Sequence, residues 1–256
     1  MPQVSLRGAL ACAAAATLGF SAASFAAAPV ALVGPGGGQP IGDRNASYII
    51  EDGTTEQSIG LGAASNNDIL WLNTFPTVAG AEKITQVSVS YGANGFVGAS
   101  ATNGTPVQIL LYNDPDGGDP SNGVLLAAVN STVQNANTNI FNTVAMPGGG
   151  VNVGSNFAVG VIMRAALGAT NPFPAGEDTT APSLAGRSWI SFDGPNAMNT
   201  SNLAATPAAN RGFIETFGAT LVGNWTVRAE GVAVPEPTTL GLLGLGAVAL
   251  VRRRRA

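Results

Sequence analysis

Histidine is absent from this 256-residue chain, and lysine occurs once, as Lys83. The first absence excludes Ser-His-Asp and Cys-His machinery and the common zinc sites. The second leaves a Ser-Lys dyad only Lys83, which follows Glu82 ahead of a strand-like run and reads as half of a solvated ion pair. Charge is scarce too: 10% of residues are charged while 45% are hydrophobic. Such a balance suits membrane or fibrous material, yet no internal stretch approaches 18 consecutive apolar residues. Asn, Ser, Thr and Gly carry the polarity instead, which fits a β-rich extracellular surface full of turns. The length fits one sizeable core without a second domain.

Both ends read as processing signals. Arg7 precedes an Ala-rich run from Gly8 to Phe25, and Ser24-Phe25-Ala26 offers small residues at the −3 and −1 positions of a cleavage site. Residues 1–26 therefore read as a secretory signal peptide. The only cysteine, Cys12, lies inside it. Ala9-Leu10-Ala11-Cys12 is a poor lipoprotein box, because its large apolar residue stands one place late. The mature chain then has no thiol and no disulfide, although an exported context would preserve one.

At the other end, Thr238 to Val251 is a Leu/Gly/Ala-rich run followed by Arg252, Arg253, Arg254 and Arg255. As a helix it reaches only about 21 Å, short of a hydrocarbon core of roughly 30 Å. The arginines would stop such a segment with its end on the cytoplasmic side of the inner membrane. Pro235 and Pro237 hold the residues before it extended, with Glu236 between them. A weak span behind a stiff strip is the plan of a tail that is cut off. Without Arg7 and the four terminal arginines, and without Glu236, 6 basic and 14 acidic residues remain, a net charge of −8. An acidic surface of that kind repels phosphates, which excludes a nucleic-acid partner.

Pro235-Glu236-Pro237, the short apolar segment and the arginine cluster, all within Val234–Ala256, resemble the PEP-CTERM sorting signal of Gram-negative bacteria. The resemblance implies an exosortase-like membrane protease as partner and cleavage near the Pro-Glu-Pro. It further implies a protein held transiently in the inner membrane and then passed to the cell surface or the extracellular, exopolysaccharide-rich matrix. A permanent, uncut anchor is the alternative for the tail.

Between the ends, residues 27–233 alternate apolar and polar positions with period two, the mark of half-buried strands. Val87, Val89 and Tyr91 make one such face; Val107, Ile109 and Leu111 another; Phe157, Val159, Val161 and Met163 a third; Trp225, Val227 and Ala229 a late one. Ile69 to Leu72, Ile140 to Val144, Ser188 to Phe192 and Gly212 to Thr216 are shorter candidates. Asn94-Gly95, Asn103-Gly104, Asn122-Gly123, Pro147 to Gly150 and Asp193-Gly194 supply turns. The pattern predicts an all-β, antiparallel β-sandwich, with the jelly roll as one form of it.

One loop has a chemical look. Asp114, Asp116 and Asp119 fall within six residues in Tyr112–Gly123, with Gly117 and Gly118 permitting a sharp bend. Calcium takes such oxygen ligands, and the loop is a candidate calcium site, although it lacks the Glu that closes an EF-hand. As a plain turn its composition is equally natural. Glu51, Glu56, Glu82, Glu177, Glu215 and Glu230 could in principle serve a glycosidase, but no spacing among them is informative. Trp71, Trp189 and Trp225 could stack on sugars, yet each lies in a strand-like run that favours core packing. The reading is a non-enzymatic surface or matrix protein. A carbohydrate-binding module is the first alternative and a secreted glycosidase the second.

Overall fold

Alternation of apolar and polar residues buries one face of each strand, and a sheet with such a face must find a partner. The computed structural model describes residues 45–61, 67–93, 101–164, 173–180, 183–218 and 221–234. Their strands are β1 (Asn45–Tyr48), β2 (Gln57–Ile59), β3 (Asp68–Pro76), β4 (Lys83–Val89), β5 (Pro106–Asn113), β6 (Val124–Thr132) and β7 (Asn142–Ala145). These continue with β8 (Val151–Asn152), β9 (Asn156–Met163), β10 (Ala175–Asp178), β11 (Ser188–Asp193), β12 (Arg211–Phe213), β13 (Asn224–Trp225) and β14 (Val227–Val232). The signal segment 1–26, the turn Asn94-Gly95 and the tail from Pro235 onward lie outside the described residues.

One sheet runs β1-β14-β4-β7, with β8 also on β4; the larger runs β12-β11-β3-β9-β5-β6. Every pairing between these strands is antiparallel. The chain crosses from β3 to β4, back to β5 and β6, across to β7, and back again to β9. An order β1-β14-β4-β7 against β3-β9-β5-β6 is that of a jelly roll, closed by the last strand pairing with the first. Strands β11 and β12 extend the larger sheet beside β3. A short third sheet, β13-β10-β2, sits beside them.

The inner faces meet where the alternation placed them. Ile84, Val87 and Val89 from one sheet share a core with Trp71, Ile109, Leu111, Phe157, Val159 and Val161 from the other. Burying each such side chain stabilises by about 1.5–3 kcal/mol relative to exposure. Asn73 clamps the layers: its amide nitrogen donates to the carbonyls of Trp225 at 2.7 Å and Val227 at 3.0 Å, and its oxygen accepts from Ser188 Oγ at 2.8 Å.

The larger sheet is covered on its outer face as well. Leu70, Leu72, Leu110, Tyr112, Ala158, Ile162 and Trp189 pack there under Met198 and Leu203. Asp68 fastens that covering segment, accepting from Arg164 Nη1 at 2.7 Å and from the amides of Asn196 and Met198. This second core explains why Ile69 to Leu72 is apolar without alternation: both faces of β3 are dry. Gly160 of β9 is required by close approach, since a Cβ there would collide with the Trp71 carbonyl. Gly148 and Gly149 take φ of +63° and +73°, the conformation that the glycine run after Pro147 provides.

One local expectation is corrected. Gly212 to Thr216 is not one strand, because β12 ends at Phe213 and Ile214–Thr216 turns as a 3-10 helix. Asn122-Gly123 lies in the β5–β6 connection as expected, with Pro120–Asn122 forming a 3-10 helix and Gly123 extended at φ −63°.

Candidate functional site

The last core strand leads straight into the tail. Strand β14 ends at Val232, and only Ala233 and Val234 separate it from Pro235. Pro235, Glu236, Pro237 and Arg252 to Arg255 themselves lie outside the described residues. Among the described residues no helix is long and apolar enough to cross a membrane.

The acidic loop between β5 and β6 brings Asp114 and Asp116 together but does not gather all three aspartates. Asp119 caps the 3-10 helix, accepting from the Ser121 amide at 2.9 Å, and its other oxygen stands 4.0 Å from Arg211 Nη1. Asp116 accepts from the Gly118 amide at 3.1 Å and from Asn122 Nδ2 at 2.7 Å. Those bonds, led by the Gly118 amide, hold its carboxyl below the usual range. Asp114 is fully buried; Oδ1 accepts from the Gly117 amide at 3.2 Å and Oδ2 has no partner. Burial, then a side-chain hydrogen bond and like charge from Asp116, pushes its pKa up to about 6, so Asp114 is the carboxyl that holds a proton shared with Asp116. The three carboxylates do not converge on one point. Any rise in melting temperature with millimolar calcium should therefore survive Asp116→Ala. An increment lost in that variant would assign the calcium to this loop.

The carboxylates that do converge come from elsewhere. Asp52, Glu56 and Asp178 bring one oxygen each within 4.8 Å of the others, the one such group among the described residues. Asp178 lies 126 positions from Asp52, so no sequence spacing could announce the group. Their oxygens are already engaged. Asp52 accepts from Thr54 and Thr180, Glu56 from Thr54 Oγ1 and the Thr179 amide, and Asp178 from Thr180 and the Asp52 amide. Burial raises the Glu56 pKa, so a shared proton relieves the crowding with Asp178.

The remaining candidates are dispersed. Glu51 is held by Arg228, Glu215 accepts from the Gly186 amide and Glu230 from Ser47 Oγ. Glu82 accepts from the Gly80 amide at 2.7 Å. Lys83 has no carboxylate within ion-pair distance among the described residues, which replaces the expected Glu82–Lys83 pair. Trp71, Trp189 and Trp225 are all fully buried. None of the three is an exposed stacking platform.

A cleft of about 180 Å³ opens at one end of the larger sheet. Thr74 to Pro76 at the end of β3, Asn156 at the start of β9, Asp114 and Gly117 after β5, and Arg187 before β11 line it. The antiparallel register gathers them: Pro76 lies opposite Asn156, the Asp114 amide donates to the Asn156 carbonyl, and the Thr74 amide donates to the Arg187 carbonyl. Arg187 Nε donates to the Thr74 carbonyl at 2.7 Å, and its guanidinium carbon sits 5.8 Å from the Phe75 ring centroid. Burial lowers its pKa. Asp114 stands out in the sequence beside two further aspartates, whereas Arg187 and Asn156 stand in no motif.

The described residues thus define an antiparallel jelly-roll domain that ends where a C-terminal tail begins. That tail, residues 233–255, matches the PEP-CTERM protein-sorting motif. The motif implies an exported protein, processed at the membrane by an exosortase and directed to the surface. No curated protein matches the sequence. Among solved structures, the chain is similar to the cysteine protease and lectin-like domains of Cwp84, a surface layer associated protein of Clostridium difficile. The identity is 14% and the TM-score 0.43, over 74% of this chain. The match spans 36% of the Clostridium chain.

Proposed function

We propose that this protein is a non-enzymatic component of the cell surface or extracellular matrix of a Gram-negative bacterium. Its tail delivers it there and is cleaved near Pro237. The observation that carries the reading is the junction itself: a sorting motif begins within one residue of the last core strand. The folded domain is therefore the cargo, and its acidic, thiol-free surface suits life outside the cytoplasm. The sequence has no histidine, and the carboxylate oxygens of Asp52, Glu56 and Asp178 are all engaged by donors of their own loops.

A second reading, glycan binding, is favoured by the cleft at Arg187 rather than by the tryptophans. The export half of the proposal has a direct check. Intact-mass analysis of the protein recovered outside the cytoplasm should show its N-terminus within two or three residues of Ala26. An exported form that keeps Met1 to Phe25 would contradict it.

A further inference from the structure

We propose that the cleft at the end of the larger sheet binds one neutral sugar residue, Arg187 and Asn156 donating to its hydroxyl oxygens and Asp114 accepting from a hydroxyl hydrogen. The proposal deepens the glycan-binding reading above by giving it a site and a ligand class.

The donors and acceptors left over in the cleft set its chemistry. Arg187 commits Nε to Thr74 and has no carboxylate within ion-pair distance among the described residues. Its terminal nitrogens remain to donate. Asp114 Oδ2 is buried with no donor from the protein other than a proton shared with Asp116, so a ligand hydrogen can take that place. A metal cation would meet the guanidinium, and an anion would meet the Asp114 and Asp116 carboxylates. A hydroxyl group satisfies both sides, because it donates to Asp114 and accepts from Arg187.

Size narrows the ligand further. The space of about 180 Å³ holds roughly six waters at ~30 Å³ each, which is room for one pyranose ring and not for two. The walls are fixed rather than loose. Gly117, at φ +71°, brings its backbone so close to Asn156 that a Cβ would come within 2.9 Å of that side chain. Phe75, buried among the core aromatics, supports Arg187 from beneath. Preformed donors held at strand ends are what weak, specific sugar recognition requires.

Saturation-transfer NMR on the purified full-length chain tests the proposal. The probes are the methyl glycosides of glucose, galactose, mannose and N-acetylglucosamine, with methyl glucuronide as the charged comparator. At least one neutral glycoside should show transfer, and glucuronide should show none. Arg187→Ala and Asp114→Asn should each weaken binding at least tenfold; Asn keeps the acceptor that Gly117 uses. Should Arg187→Ala unfold the chain by losing its bond to Thr74, Asn156→Ala replaces it, since that amide makes only a 3.4 Å contact with Ser155. Transfer from no neutral glycoside, or from glucuronide alone, overturns the proposal. Binding that none of the variants weakens would keep glycan recognition but remove it from this cleft, and so overturns it too. Sorting is read separately, from the mass of the mature protein.

Discussion

Replacing Arg252, Arg253, Arg254 and Arg255 together by Ser should send the chain out of the cell uncut, still carrying its apolar tail. The run from Thr238 to Val251 is short for a bilayer, and its glycines contribute little apolar area, so insertion is marginal without the positive-inside stop. A chain that does not pause in the membrane is not presented to a membrane protease. Replacing Pro235 and Pro237 by Ala should have the opposite outcome. Anchoring should stay intact, but without the prolines the residues ahead of the apolar run are free to take helical backbone, and the constraint that favours an extended cleavage site is lost. Full-length precursor should then accumulate in the membrane fraction. Mass spectrometry of membrane, surface and medium fractions distinguishes the three forms. Identical processing in both variants would refute this mechanism.

The second large effect concerns Glu177. It lies in β10 with Trp225 and Gln57 as its cross-strand neighbours, is fully buried, and neither carboxylate oxygen has a partner. A Cβ at Gly223 would come within 2.9 Å of its Oε1, so the glycine makes the space this side chain fills. Burial, followed by the charges of Asp178 and Glu56, raises its pKa to about 8, so it is neutral in the folded protein at pH 7. In the unfolded chain a Glu titrates at roughly 4.3. Between those values the folded state holds a proton that the unfolded state has released. The stabilisation is thus complete below pH ~4.3 and is lost as pH rises through about 8. At about 1.4 kcal/mol per pH unit, the full ramp from roughly 4.3 to about 8 is on the order of 5 kcal/mol.

Glu177→Gln removes that titration while keeping shape and polarity. Its melting temperature should match the parent's near pH 4 and exceed it by on the order of 10 °C near pH 8.5. Comparing the two proteins at each pH cancels the contribution of Asp114, whose pKa is also raised, while Glu56 and Asp178 interact with Glu177 and count as part of its effect. Two melting curves that stay parallel from pH 4 to pH 9 would show that the Glu177 carboxyl is solvated after all.

Much of this fold was legible because strand periodicity is a local signal. The faces at Val87/Val89, Val107/Ile109/Leu111 and Phe157/Val159/Val161 are inner-sheet residues, as their alternation required. Trp71, Trp189 and Trp225 are buried for the same reason. What stayed hidden depends on distant pairing. The short sheet of β2, β10 and β13 uses strands of two to four residues, too brief for any period to register. The outer core under Met198 and Leu203 belongs to a segment without regular strands, whose attachment by Asp68 and Arg164 spans most of a hundred residues. Asp114 stood out because two more aspartates lay beside it in the chain. The structure instead places it in the lining of one cleft with Arg187 and Asn156, which antiparallel register gathers. The tail was legible for the opposite reason: its chemistry is entirely local, with proline, apolar residues and arginine in fixed order.

The most direct measurement is the C-terminal sequence of the protein as it stands at the cell surface. Top-down mass spectrometry of the surface fraction should give a chain that ends near Pro237, with Leu240 to Arg255 gone. Mature surface protein that still carries Leu240 to Arg255 would contradict cleavage and make the tail a permanent anchor.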